Sequence, residues 1–352
     1  MSTKRLSYFD LAKGFGILLV VYGHIEYISE EMRGWISSFH MPLFFVISGM
    51  LIAYKCEENL SVKDAITKKA KGILVPYLWF SIIYFFIDIM NVLLHKIDMK
   101  TFCENAISSI TFYGVSVLWF LPALFIGEIT AIILVRNIKI KYLLIPVSLL
   151  IAIIVYFFQM KISYIYDANI EILYITSLVN FVRVFIRGII ASFFVVTGYC
   201  IFNVFLRKNE CFSFIELIIG IVLFIVNIFL SKINGCVDFH YIVLRNVPMF
   251  FISAILGSMA IILISKNIKP IAFIQFFGKN SLAIMATHIH CYVLYAGIRT
   301  AWFIDTFVTR AKSYIFMFNI MVFTMIFECI IVLILNKFFP FVLGKKVKHK
   351  GE

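Results

Sequence analysis

Runs of about 20 mostly apolar residues, the length a membrane-spanning helix needs, recur along the whole chain. Ten such spans are expected, over about 9–28, 35–54, 73–94, 115–135, 140–158, 184–206, 212–231, 247–265, 280–298 and 314–336. The eighth and ninth have the softest boundaries. Composition agrees. Of 352 residues, 62% are hydrophobic and 14% charged, where soluble domains carry about 25% charged residues. A core this apolar throughout excludes a soluble globular domain. The expected fold is all-α: a polytopic membrane protein with one bundle of about ten transmembrane helices, forming a single domain over residues 1–352.

Lysine and arginine in the connections set the orientation of such a bundle. With the N-terminus inside, the inner segments hold roughly twice as many of them as the outer ones. An even number of spans then puts both termini in the cytoplasm. This asymmetry also accounts for most of the net charge of +13, which in a soluble chain would suggest nucleic acid. No nucleic-acid partner is expected; the inner-face lysines meet anionic lipid heads instead. The longest loops, 95–114 and 159–183, fall outside. The lysine-rich stretch 61–72 reads as a short interfacial helix on the inner face, and 341–352 as a basic cytoplasmic tail. Lys4 and Arg5 give the first span a short basic lead. However, Asp10, Lys13 and His24 interrupt its apolar run and no small-residue cleavage site follows, so it reads as a retained helix and not a signal peptide. The cysteines show no C-x-x-C spacing, and a disulfide between Cys103 and Cys236 is left open.

The first fifty residues hold what spanning helices avoid: Asp10, Lys13, His24 and His40. Ionisable groups at membrane depth are costly and mark functional sites by default. Lys13 and His24 are eleven residues apart. That is about three helical turns, so both lie on one face roughly 16 Å apart. His40 begins the next span after a short turn, so the two imidazoles are expected to meet at similar depth. A buried neutral histidine suits a general base for a hydroxyl acceptor; the plainer reading is that each bonds a neighbouring helix. Lys13 can snorkel to lipid heads, pair with Asp10 one turn earlier, or bind a phosphate.

Other polar groups fall inside spans. Glu128 and Arg187 could pair. His288 and His290, two residues apart, cannot share one helix face. Asn280 and Ser281 precede His288 and could cap a helix start, whose N–H groups suit an anion. Trp119 opens the fourth span at the outer interface, ordinarily as a belt residue, with substrate stacking the alternative. Residues 44–49 (FFVISG) are echoed at 193–198 (FFVVTG). Close helix packing through small residues and a duplicated unit both explain the echo. Neither a P-loop nor a soluble-hydrolase motif is present, and no metal site is expected.

A basic residue followed, after ten positions, by an intramembrane histidine (Lys13, His24) resembles the acyltransferase-3 family of membrane acyltransferases. Phe39-His40-Met41-Pro42-Leu43-Phe44-Phe45, Ser48-Gly49, Val75-Pro76-Tyr77, Leu118-Trp119-Phe120-Leu121 and Gly278-Lys279-Asn280-Ser281-Leu282 leading to His288 extend the match over nearly the whole chain. The chain most resembles the fucose 4-O-acetylase-like branch. The resemblance implies a ten-helix enzyme of the bacterial cytoplasmic membrane. It would move an acyl group, most simply acetyl, from cytoplasmic acyl-CoA to a hydroxyl of a cell-surface glycan, exopolysaccharide or lipid-linked sugar. Acetyl-CoA is then a co-substrate, and no bound cofactor is expected. His24 would be catalytic, with His40 beside it; Lys13, Lys68 and Lys71 would hold acyl-CoA. Asp10, Ser48, Arg187, Trp119, Asn280 and His288 would support the reaction or its oxyanion. Many relatives carry arginine where this chain has Lys13, and lysine lacks bidentate phosphate recognition. Succinyl transfer is an alternative within the class. A transporter or flippase for a polar solute is the alternative outside it.

Overall fold

Serine caps, proline starts and one unwound turn divide the apolar sequence into helices. The computed structural model describes residues 6–168, 173–207, 212–305 and 313–345. Helix α1 (Ser7–Gly23) carries Lys13 and has His24 as its C-terminal cap. At the start of α2 (Glu30–Ser37) the Ser29 hydroxyl accepts from the Met32 N–H at 3.3 Å, satisfying one donor that a helix start leaves orphaned. Helix α3 (His40–Tyr54) follows almost at once, so α2 and α3 together run 25 residues. Ser61 caps α4 (Val62–Lys69), meeting the Asp64 N–H at 3.1 Å. A π-helical turn over Ala70–Leu74 leads directly into α5 (Val75–Leu93). The segment expected as a separate interfacial helix is therefore the polar head of a 32-residue helical stretch.

Both stretches expected as long loops are largely helical. Helix α6 (Met99–Ile110) occupies the first. After α7 (Phe120–Asn137), helices α8 (Leu144–Ala168) and α9 (Leu173–Ile201) extend into the second. Helices α10 (Phe214–Asn234), α11 (Val247–Lys266), α12 (Ala272–Lys279), α13 (Ser281–Thr287), α14 (Val293–Ile304) and α15 (Ser313–Phe338) complete the bundle. Among the described residues there is no strand, only an isolated bridge between Asp238 and Val243. Eight helical segments there are long and apolar enough to cross a membrane. The protein is an all-α, multi-pass bundle. Cys103 and Cys236 are both free thiols.

Two of the ten expected spans take other forms. The first is α1, of 17 residues. The ninth is broken: α13 ends at Thr287, the chain turns through His288–Tyr292, and α14 resumes at Val293. Tyr292 holds a left-handed φ of 60° at that turn. Polar side chains of α5 secure the break. Asp88 meets His290 at 3.0 Å, the Tyr84 hydroxyl donates to the Ala286 carbonyl at 2.6 Å, and Asn91 accepts from the Tyr292 hydroxyl at 2.7 Å. Irregular backbone at membrane depth survives only with such support.

Helix α3 lies at the centre. The apolar window of its segment is 78% buried, against 17% for α10, whose Ile215, Ile219, Val222 and Phe229 face outward as a lipid-facing surface requires. Two close crossings fix the interior. A Cβ on Gly49 would fall on the Val195 carbonyl, and one on Gly198 would fall on the Val46 carbonyl. The two copies of the echoed sequence thus pack on each other, α3 against α9. Likewise a Cβ on Gly14 would strike the Ile274 carbonyl and one on Gly278 the Asp10 carbonyl, bringing α12 against α1. Small residues let spanning helices approach this closely, and dispersion then holds them together.

Candidate active site

Two cavities lie along α1. The first, of about 330 Å³, is lined by Lys13, Ser48, Lys55, Glu57, Lys68, Lys69 and Glu128 among mostly apolar residues. The second, of about 400 Å³, is lined by His24, Arg33, Ser37, His40, Trp119, Asp238 and His240. Val20, Met41 and Met285 line both. Three apolar side chains therefore form the partition between a lysine-lined space and a histidine-lined one. Lys13 reaches the first and His24 the second because α1 holds them on one face.

The histidines are held by a repeated local device. The Nδ1 of His24 lies 2.8 Å from the Val20 carbonyl, that of His40 2.8 Å from the Ile36 carbonyl, and that of His288 2.9 Å from the Ile284 carbonyl. Each carbonyl belongs to the residue four positions earlier. A carbonyl only accepts, so Nδ1 carries the proton in each ring and Nε2 keeps its lone pair. The Nε2 of His288 lies 3.3 Å from the Nδ1 of His24, with ring centroids 5.1 Å apart in an edge-on arrangement. The His24 Nδ1–H is thus shared between Val20 and His288, which fixes the ring and leaves its Nε2 as the accepting nitrogen. His24 is exposed and His40 part-buried, whereas His288 is fully buried behind them.

Several expected partnerships take a different form. The ring that meets His24 is His288, not His40; His40 shares the cavity but bonds the last turn of α2 through the Ile36 carbonyl. His290 sits beyond the unwound turn, stacked on Tyr84 at 4.0 Å and facing Asp88. Glu128 does not pair with Arg187. Its carboxylate meets the Ser48 hydroxyl and, at 2.9 Å, Lys69. Arg187 is wholly buried on α9, donates to the Tyr113 carbonyl at 3.0 Å and lies over the rings of Tyr113 and Trp119. It braces Trp119 from behind and is not in the cavity wall. Asn280 caps no helix with its side chain; it donates to the Phe276 carbonyl at 2.9 Å and accepts from Asn336 at 2.9 Å. Gly278, beside it, serves the α1 crossing. Trp119 is 8% exposed and stacks on His240 at 5.5 Å and 13°, an interior position and not that of a lipid-facing belt residue.

The lysine cavity has its own charge order. Lys13 pairs with Asp10 at 3.4 Å, the pairing expected one turn apart. Lys68 meets one oxygen of Glu57 at 2.9 Å and Lys69 the other at 2.6 Å. Burial works against the charged Glu57 carboxylate, but Lys69 and Lys68 prevail and hold it below its usual range. Lys71 is exposed and does not line the cavity; Lys55 and Lys69 do.

Arg33, Asp238, His240 and Glu57 were not singled out from sequence. The first three lie in connections, where no periodicity points to them. Glu57 falls in a short one-turn helix between spans, and Lys69 reads in the sequence only as one of the inner-face lysines. A model of the acyltransferase-3 family, described as an acyltransferase domain, matches residues 6–336. The chain belongs to the acyltransferase-3 family. No curated protein and no solved structure matches it. Both cavities of this acyltransferase lie within the matched residues, and so do all three histidines that share the Nδ1 device.

Proposed function

We propose that this acyltransferase is a membrane O-acyltransferase that joins a donor in the lysine cavity to a hydroxyl acceptor in the histidine cavity. The observation that carries the reading is the shared partition of Val20, Met41 and Met285 between an anion-suited space and one holding two accepting imidazole nitrogens. In this reading Lys13, Lys55, Lys68 and Lys69 hold the phosphates of acyl-CoA at the cytoplasmic face. The pantetheine arm lies along the apolar wall and brings the thioester past the partition. We take acetyl, the simplest acyl group of the class, as the donor group.

The His24 Nε2 takes the proton of the acceptor hydroxyl as its oxygen attacks the thioester carbonyl. The tetrahedral intermediate then expels the CoA thiolate, and the His24 imidazolium returns the proton to sulfur. Two imidazole acceptors facing one space suit a ligand with neighbouring hydroxyls: His24 takes the reacting one and His40 orients the next. Trp119 and His240, stacked on each other, give this cavity an aromatic wall against which a sugar can pack. Arg33 supplies positive charge in the same wall, where oxyanion stabilisation is worth most. The acceptor is thus read as a cell-surface glycan or its lipid-linked precursor, at a cell membrane, as in the fucose 4-O-acetylase-like branch.

Purified protein in liposomes tests this. With acetyl-CoA and a glycan acceptor it should release free CoA thiol and leave an ester on the glycan, read by mass spectrometry. Solute flux without acyl turnover would replace the reading with transport.

A further inference from the structure

We propose that Glu57 is a resident counter-anion of the donor site, holding the two lysines that a donor phosphate takes over when it binds. The proposal rests on the reading of the lysine cavity as the acyl-CoA site. Its basis is the geometry of one carboxylate. Glu57 is 2% exposed, and its two oxygens separately engage Lys68 at 2.9 Å and Lys69 at 2.6 Å. A phosphate bridges two ammonium groups in the same way, with one oxygen to each. All three residues line the same cavity as Lys13 and Lys55.

The rest of the network explains why the exchange is feasible. Lys69 has a second carboxylate partner, Glu128 at 2.9 Å, which in turn meets Ser48. Lys69 is therefore not stranded as an unpaired buried charge when Glu57 leaves. Glu57 sits in a one-turn helix, Glu57–Asn59, between α3 and α4. The Lys68 side chain is 52% exposed, so an incoming anion can reach it first and draw Lys69 after it. The device keeps two lysines extended toward the cavity before a donor binds, at the cost of a competitor that every donor must displace.

The neighbour of Glu57 provides an internal control. Glu58 carries the same charge, but it accepts from the Tyr199 hydroxyl at 3.3 Å and does not line the cavity. Coenzyme A itself, titrated calorimetrically into the detergent-solubilised full chain, is the probe. Removing the competitor in Glu57→Gln is expected to tighten coenzyme A binding by roughly tenfold, the scale of one charge-assisted contact. Glu58→Gln should change it by less than about twofold, because its carboxylate is turned to Tyr199 and outside the cavity lining. Glu57→Asp keeps the charge but is too short to span both lysines, and it should give an intermediate gain if Glu57→Gln folds poorly. The melting temperature should rise more on adding coenzyme A in Glu57→Gln than in the native chain.

Binding by Glu57→Gln and Glu57→Asp no tighter than native would overturn the exchange and leave the donor site standing. Equal tightening by Glu58→Gln would also overturn it, because the effect would then be one of net charge alone. If neither the native chain nor any variant binds coenzyme A, both the exchange and the donor reading fall.

Discussion

The two cavities are built by opposite means. The lysine cavity is mostly a helical object. Helices α1, α4 and α7 supply Lys13, Lys68, Lys69 and Glu128 from regular turns, while Lys55 caps α3 and Glu57 sits in the one-turn helix after it. Carboxylates already partner Lys13, Lys68 and Lys69. The histidine cavity is assembled where helices stop. His24 ends α1 and His40 begins α3. Ser116 and Trp119 come from a one-turn helix, and Asp238 and His240 from the α10–α11 connection. Positive φ values at Gly114, Ser116, Gly235, Ile242 and Arg245 cluster in those same segments. Regular helices place charges at fixed spacing but present one kind of face. A pocket that surrounds a small polar ligand needs groups from several directions, and chain ends and unwound turns provide them.

That contrast can be broken by experiment, and the largest expected effect is at His24. His24→Ala should lower acyl transfer by about 10³-fold, within the range of general-base removal, while coenzyme A still binds, because the proposed reading puts donor and base in different cavities. Loss of both together would erase the division. At the α3–α9 crossing, Gly49→Ala or Gly198→Ala places a methyl on a backbone carbonyl and should cost about 3 kcal/mol, the upper range for overpacking. Monodisperse yield in detergent would show it, and wild-type yield would mean that α3 and α9 sit further apart. His288→Gln should lower kcat by roughly tenfold to a hundredfold, the scale seen when an orienting partner is lost, with the acetyl-CoA KM little changed. A KM effect alone would take His288 out of the histidine site. Lys13→Ala should raise that KM by about tenfold, as loss of one charged contact does, with a smaller effect on kcat.

The smallest effect concerns pH, and it too separates the cavities. Burial, reinforced by Arg187 and Arg183, pushes His240 down to about 3. A histidine whose folded pKa lies below its unfolded value of 6.5 contributes stability that is complete above pH 6.5 and is lost as pH falls toward 3. Melting temperature should therefore decline below pH 6.5, and His240→Gln should flatten that decline. In the lysine cavity Glu57 is shifted down from 4.5. Its contribution is complete above that value and is lost only as pH falls below it, so Glu57→Gln should leave the slope between pH 6.5 and 5 intact.

Much of the lysine side was legible in the sequence because helical periodicity is local. Lys13 paired with Asp10, and Lys13 and His24 on one helix, follow from 3.6 residues per turn. The apolar runs alone determined an all-α membrane bundle, since backbone in lipid must bond to itself. The echo at residues 44–49 and 193–198 was visible too, and small residues hinted at close packing. Other features depend on which helix faces which. The His24–His288 contact spans 264 positions in sequence. Glu128 meets Lys69 and not Arg187 because α7 turns that face toward α4. The unwound turn at His288–Tyr292 lay inside an apolar run long enough to span, and only Asp88, Tyr84 and Asn91 of α5 make the break tolerable. Sequence patterning fixes what each helix can bury. The partner that satisfies a buried polar group is set by packing across the bundle, which only the tertiary structure decides.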